Sequence, residues 1–250
     1  MHNIMRKDEI LEILHMYNYA TVHFLSNALH ISASSVRRDL TAMEAQGLVK
    51  RSHGGVSIAE GNNALTPFPM RMKENSIAKR KICQKAAALI NDDDVIFVDG
   101  STTCLYLPEF IRDKNNITVL TNSLKLCEML LGYQNVTVYS TGGSFHLRNE
   151  QVLVGPFAEH VCQNVHTNIM FFSARAISAS GLITDLNEPE THVRHVALEN
   201  TERPVFLCDR SKFNKSSTFS VCRAQDISCI ITDEPPAKDM ISLWNAREVL

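Results

Sequence analysis

The sequence predicts an α/β protein in two parts: a small helical segment closed by a hairpin, then a larger domain on a mostly parallel sheet. Three observations carry that prediction. Up to about residue 57 the apolar residues recur at helical spacing. From Val95 onward, short and nearly continuous apolar runs alternate with helical stretches, as strands covered on both faces do. Between the two, residues 58–75 hold Gly, Asn and two prolines with no period, and read as a linker. The expected domains are therefore 1–57, a linker over 58–75, and 76–250.

The N-terminal elements come in order. Ile10, Ile13, Leu14 and Tyr17 recur at i, i+3, i+4 and i+7, one face of a helix. Phe24, Leu25, Ala28 and Leu29 make a second face, and Val36, Leu40 and Met43 a third. Only His30-Ile-Ser32 separates the second from the third, which requires a tight turn, with Ser32 as N-cap of the third helix. Leu48–Arg51 and Val56–Ile58 flank Ser52-His53-Gly54-Gly55, a hairpin whose glycines supply the turn. Three short helices, a tight turn and a hairpin describe a winged helix-turn-helix.

With Val36, Leu40 and Met43 inward, Ser34, Arg37, Arg38 and Thr41 fall largely on the opposite face. A helix entering a major groove needs small hydroxyls near its start and arginines that fork onto guanine or phosphate. Lys50, Arg51 and His53 on the hairpin would reach the flanking backbone or minor groove. The alternative is a solvated face on which Arg37 and Arg38 are balanced by Asp39 and Glu44. The whole chain carries a net charge of −2, which excludes a uniformly basic surface but not a local patch.

In the second part, a helical stretch from Ile77 to Ile90 leads to six apolar runs: Val95–Val98, Ile117–Leu120, Val136–Tyr139, Ile169–Phe172, Pro204–Leu207 and Ile227–Thr232. The first ends in Asp99-Gly100-Ser101-Thr102-Thr103, where glycine permits a sharp turn and hydroxyl residues open the next helix. Unpaired N–H groups at a helix start bind anions, and in open α/β sheets ligands sit beyond the carboxyl ends of the strands. An ordinary Ser/Thr cap is the alternative. Asn122 follows the second run, Gly142 and Gly143 the third, and Asp209 and Lys212 the fifth. Polar strand ends converging on one edge fit a phosphorylated polyol: amides for the phosphate, Lys212 for charge, Asn122 and Asp209 for hydroxyls.

The remaining composition narrows the class. The 250 residues are 44% hydrophobic and 21% charged, as in a soluble globular protein. No apolar run approaches the roughly 18 residues of a membrane helix. The N-terminus, MHNIMRKDEI, lacks a secretory signal, so a cytoplasmic protein without membrane partners is expected. Seven cysteines, odd in number and without C-x-x-C, read as buried reduced thiols, with redox sensing at Cys104 as the alternative. His192, His195 and Glu199 have helical spacing for a metal but read as solvated, so neither metal nor cofactor is expected.

Ile31-Ser-Ala-Ser-Ser-Val-Arg-Arg-Asp-Leu40, followed by Gly47-Leu-Val-Lys-Arg-Ser-His-Gly-Gly55, resembles the signature of the DeoR family of bacterial transcriptional regulators. The likeness continues through Asp99-Gly-Ser-Thr-Thr103, Thr121-Asn-Ser123, Gly142-Gly143, Gly181-Leu-Ile-Thr-Asp185 and Asp209-Arg-Ser-Lys-Phe213, which resemble that family's sensor domain. It spans about residues 5 to 233. It implies a sensor similar in fold to ribose-5-phosphate isomerase and the coenzyme A transferases. It also implies a helix from about Ser32 to Gln46 reading operator DNA, with Ser35 at a position where threonine is commoner. A repressor of a carbohydrate catabolic operon is implied, released by a phosphorylated sugar. A single winged helix buries too little surface for tight operator binding, so at least a homodimer, or a homotetramer, is expected, joined through the α/β domain, whose sheet offers large apolar faces. Two departures stand out. Arg194, in Glu190-Thr-His-Val-Arg194, replaces the usual lysine, keeping the charge on a larger, flatter donor expected to face the phosphate. Phe172-Ser-Ala-Arg175 replaces smaller, glycine-rich residues. The rival reading is an isomerase-like enzyme using Asp99, Asp185, Glu188 or Asp209 as base; the attached winged helix argues against it.

Overall fold

The computed structural model describes residues 2–17, 19–52, 55–58, 68–146 and 149–250. By internal contacts the chain divides into two compact units, Met1–Glu74 and Asn75–Leu250.

The first unit holds α1 (His2–Tyr17), β1 (Tyr19–Ala20), α2 (Val22–Ala28), α3 (Ala33–Ala45), β2 (Val49–Ser52), β3 (Gly55–Ile58) and α4 (Phe68–Lys73). Thr21 caps α2 by accepting from the Phe24 amide at 3.1 Å, and Ser32 caps α3 by accepting from the Ser35 amide at 3.2 Å. Each such cap stabilises its helix by about 1 kcal/mol. His30 closes the intervening turn in the left-handed region (φ +53°). β2 and β3 form the expected hairpin, whose turn residues His53 and Gly54 lie outside the described residues. β1, too short to signal itself, extends the hairpin to three strands. Ile10, Leu14, Leu25, Val36, Leu40, Met43, Val49 and Val56 make the core. Tyr17 and Phe24, expected inside, are about half exposed and meet edge to face at 5.2 Å.

The stretch 58–75 differs from the expected linker. Residues 59–67 lie outside the described residues, but 68–73 form α4. Proline in a helix's first turn gives up an N–H that would have no intrahelical partner, so Pro69 opens a helix where the sequence reading took it as a breaker. Lys73 at its end pairs with Glu12 of α1.

The second unit begins with α5 (Ser76–Ala87), β4 (Val95–Val98), a 3-10 turn over Cys104–Phe110, β5 (Ile117–Thr121), α6 (Leu124–Leu130) and β6 (Val136–Ser140). It continues with β7 (Ser144–His146), β8 (Asn149–Val154), α7 (Pro156–Asn164), β9 (Thr167–Phe172), β10 (Ala176–Ile177), β11 (Leu182–Asp185) and α8 (Glu188–Glu199). Last come β12 (Thr201–Cys208), β13 (Phe219–Arg223), β14 (Cys229–Thr232) and α9 (Lys238–Trp244). The six predicted strands form one parallel sheet in the order β14-β12-β9-β4-β5-β6. Register sets Val98 beside Thr121 and Phe171, and Phe206 beside Phe172. Asp99, Asn122, Ser173 and Asp209 therefore leave the sheet along one edge. A β7–β8 hairpin and an antiparallel β10-β11-β13 sheet were not anticipated. Phe97, Met170, Phe172, Phe206 and Trp244 belong to a core against which α7 and α8 pack. Among the described residues no helix is long and apolar enough to cross a membrane.

Candidate functional site

On α3 the apolar stripe of Val36, Leu40 and Met43 is buried, and Ser34, Arg37, Arg38 and Thr41 are exposed, as the spacing requires. The hydroxyls of Ser34 and Ser35 lie 2.8 and 2.9 Å from that of Ser32, so both belong to the cap at the helix start. Thr41 donates to the Arg37 carbonyl (2.9 Å) and accepts from Arg51 Nη1 (3.2 Å), while Glu44 accepts from the Arg51 amide (3.1 Å). These bonds fix the β2 end of the wing to α3. Lys50 is exposed beside them, and His53 lies outside the described residues.

Asp39 does not balance the neighbouring arginines. It is buried, and its carboxylate accepts from Arg6 of α1 through Nε (2.6 Å) and Nη2 (3.0 Å). This forked pair locks α3 to α1 and leaves the guanidinium groups of Arg37 and Arg38 without a protein hydrogen bond or ion pair among the described residues. The sequence signal was an acid three residues after Val36, on the edge of the apolar stripe.

The second constellation lies at the carboxyl ends of β4, β5, β9 and β12, where Asp99, Thr102, Thr103, Asn122, Ser173 and Asp209 are all buried. Several expected donors are already engaged. The Gly100 amide donates to Asn122 Oδ1 (3.0 Å), and the Ser101 amide to Asp99 Oδ1 (3.0 Å). Asn122 also donates to the Leu153 carbonyl (3.3 Å), so it ties the β4 turn to β8 and is not aimed at a ligand hydroxyl. Gly100 is required by packing: a Cβ there would lie 2.4 Å from Val152 Cγ2. The anion cradle thus contracts to Thr102 and Thr103. The Thr103 hydroxyl is buried with no hydrogen-bond partner among the described residues. Gly142 and Gly143 form an exposed turn beyond β6.

Two cations reach this rim. Lys212 Nζ donates to Ser173 Oγ at 2.6 Å and lies 3.9 Å from Asp209. Lys79 of α5 was missed from sequence; it is only 4% exposed and donates to Thr102 Oγ1 at 3.3 Å. Its signal was a lysine three and four residues before Ile82 and Cys83, on the stripe where α5 is otherwise apolar. Burial pushes the Asp209 pKa up, but Lys212, the amide and hydroxyl of Ser211, and Lys79 outweigh it and hold it below the usual carboxylate range.

Arg194 requires a correction. Expected to face the phosphate, it is buried on α8 and donates to Asp99 (Nε, 2.9 Å), Asp185 (Nη1, 3.0 Å) and Glu190 (Nη2, 3.2 Å). Burial alone would lower its pKa; Asp185, Asp99 and Glu190 outweigh that and raise it. A guanidinium's fixed fork can serve three carboxylates at once, which an ammonium does less well. Arg194 is therefore the joint connecting β4, β11 and α8.

The same bonds bear on the enzyme alternative. Asp99 accepts on both oxygens, from Ser101 on one and from Ser173 and Arg194 on the other. That geometry holds a loop and offers no free base. Cys104 is buried and its thiol is pushed well above its ordinary pKa by burial and by Asp99, which opposes the thiolate that redox sensing needs. His195 Nε2 lies 3.0 Å from the Ser220 carbonyl.

Comparison with known proteins places both halves. Residues 6–61 match the DeoR-like helix-turn-helix domain and residues 74–234 the DeoR C terminal sensor domain. The chain is 32% identical over 228 residues to the HTH-type transcriptional regulator GolR of Listeria innocua, covering 91% of this chain and 89% of that protein. It is also 32% identical over 228 residues to the L-fucose operon activator of Haemophilus influenzae, covering 91% of each. Among solved structures it is similar to ribose 5-phosphate isomerase A of Methanocaldococcus jannaschii, at 16% identity and a TM-score of 0.40 over 56% of this chain and 55% of that one.

Proposed function

Since the chain belongs to the DeoR family of DNA-binding transcriptional regulators, a family of regulators and not of enzymes, we propose that it represses a carbohydrate catabolic operon and leaves its operator when a phosphorylated sugar enters the sensor unit. The observation that carries this reading is that Lys79 and Lys212 both reach the rim, Lys79 donating to Thr102, whose neighbour in the chain, Thr103, has a buried hydroxyl with no hydrogen-bond partner among the described residues. Both ammonium groups act on the single carboxylate of Asp209. A phosphate dianion supplies acceptors for both and for Thr103, through charge-assisted bonds roughly twice as strong as neutral ones. Asp209 is left to accept from a sugar hydroxyl.

At the other end, Arg37 and Arg38 are free to meet bases or phosphates, with Lys50 and Arg51 on the flanking backbone. A single winged helix buries too little surface for tight binding, so two copies reading paired half-sites complete the assembly. Repression asks least of such a chain, because an occupied operator excludes polymerase without a further contact surface.

The test is operator release in a fluorescence-anisotropy titration. Lys212→Ala and Lys79→Met should bind operator like the wild type but need at least tenfold more sugar phosphate for release. Release at wild-type effector concentrations in both variants overturns the assignment.

A further inference from the structure

β6 is the outer strand of the parallel sheet, and among the described residues it pairs with β5 alone. Natural sheets protect such an edge with lysine, proline or a bulge, because its free N–H and C=O groups otherwise recruit another strand. This edge has no such protection. From Met129 to Phe145 the chain contains no Asp, Glu, Lys, Arg or Pro, although it is 21% charged overall. Tyr139 on β6 is 58% exposed, Phe145 on β7 62% and Phe157 at the start of α7 77%. The elements that carry these aromatics meet: a Cβ on Gly143 would lie 3.1 Å from the Ala158 Cβ, which sets the β6–β7 turn against the first turn of α7. An unprotected edge flanked by exposed aromatics marks a surface that is covered in the working protein.

We propose that the cover is a second copy of this chain, with β6 running antiparallel to its counterpart about a two-fold axis near Val138 and the three aromatics closing over the join. Three arguments favour self-association over another partner. A strand edge is self-complementary about a two-fold axis, each residue supplying the donor and acceptor that its mate lacks. The stretch from Met129 to Phe145 carries no charge, so it repels no copy of itself and offers nothing to a charged partner. The exposed parts of the three aromatics amount to on the order of 400 Å² per copy at ~200 Å² per ring, about half of the ~800 Å² per partner in a stable interface, before the strand is counted. The proposal rests on the two-copy reading of operator binding and refines it, placing the contact at the sheet's edge and not on its faces. It would also set the interface beside the Gly142–Gly143 turn beyond β6.

Sedimentation velocity at micromolar concentration, without DNA, tests it separately from regulation. The wild type should run at twice the 28.0 kDa chain mass. Thr137→Lys with Tyr139→Lys should run at the single-chain mass, with an unchanged circular dichroism spectrum and melting temperature showing that it folds. Val138→Cys should cross-link to its own copy under mild oxidation, while the wild type and Ile77→Cys, exposed elsewhere, should not. A wild-type monomer, or a folded double-lysine variant that keeps the dimer mass, overturns the proposal. A dimer that fails to bind DNA refutes the operator reading alone.

Discussion

Arg194→Gln separates two roles that one arginine at this position could have. In the structure its guanidinium is 5% exposed and holds Asp99, Asp185 and Glu190 together. Removing it leaves three carboxylates at a buried joint without their shared cation, and breaking buried pairs from one side costs about 3–5 kcal/mol. A domain of this size loses about 2–4 °C per kcal/mol, so the sensor unit should melt about 6–20 °C lower. The chain's one tryptophan, Trp244, is buried in that unit's core, so its fluorescence follows this unfolding and not that of the winged helix. Arg194→Lys keeps the charge but not the three-way fork and should recover only part of the loss. If Arg194 instead bound effector directly, Arg194→Gln would melt within about 2 °C of the wild type and lose only its response to sugar phosphate. That result would refute the joint.

Three further outcomes rest on other contacts. Arg37→Ala and Arg38→Ala should each weaken operator binding by about 1–3 kcal/mol if the side chain forks onto a guanine, with relaxed preference at that base; unchanged affinity and salt slope in both would remove α3 from the groove. Asp39→Ala breaks the forked bond to Arg6 and should cost the winged-helix unit about 1.5–3 kcal/mol; circular dichroism should show helix melting earlier while Trp244 fluorescence keeps its midpoint, and coincident shifts of both signals would contradict it. Asp209 is held below its ordinary pKa, so its stabilising contribution is present above about pH 3.9 and lost as pH falls through the lower folded-state value. Urea titrations should accordingly find Asp209→Asn less stable than the wild type at about pH 7, with the gap narrowing as pH falls below about 3.9; a gap that stays constant on acidification would exclude this ionic origin.

The elements that sequence reading captured share one cause. Val95–Val98 and Ile169–Phe172 are buried on both sheet faces, so nearly every residue is apolar and the strand announces itself. Ser32 and the stripe of Val36, Leu40 and Met43 marked α3 to within a residue because cap and period agree. β7 and β10 carried no signal: two or three residues complete no period, and Ser144-Phe-His146 has no apolar alternation to detect. Site partners were harder than site positions. The rim could be placed from where strands end, but whether a polar group there is free or spent depends on residues far away in sequence. Asn122 looked like a ligand donor until Leu153 and Gly100 were seen to occupy it. Arg194 kept its charge and changed its role because Asp99, ninety-five residues earlier, lies 2.9 Å away. Lys79 was passed over because a lysine on a helix is ordinarily solvated, and only tertiary packing turns it inward.

The central claim is that the sensor reads a phosphate group, and matched pairs of sugars and their phosphate esters test it most directly. With operator-bound wild-type protein, the ester should release DNA at a concentration lower by about 100-fold or more, two charge-assisted bonds being worth about 1.5–3 kcal/mol each. If the neutral sugar releases the operator as well as its ester does, the cations at the rim serve only the fold and the claim is wrong.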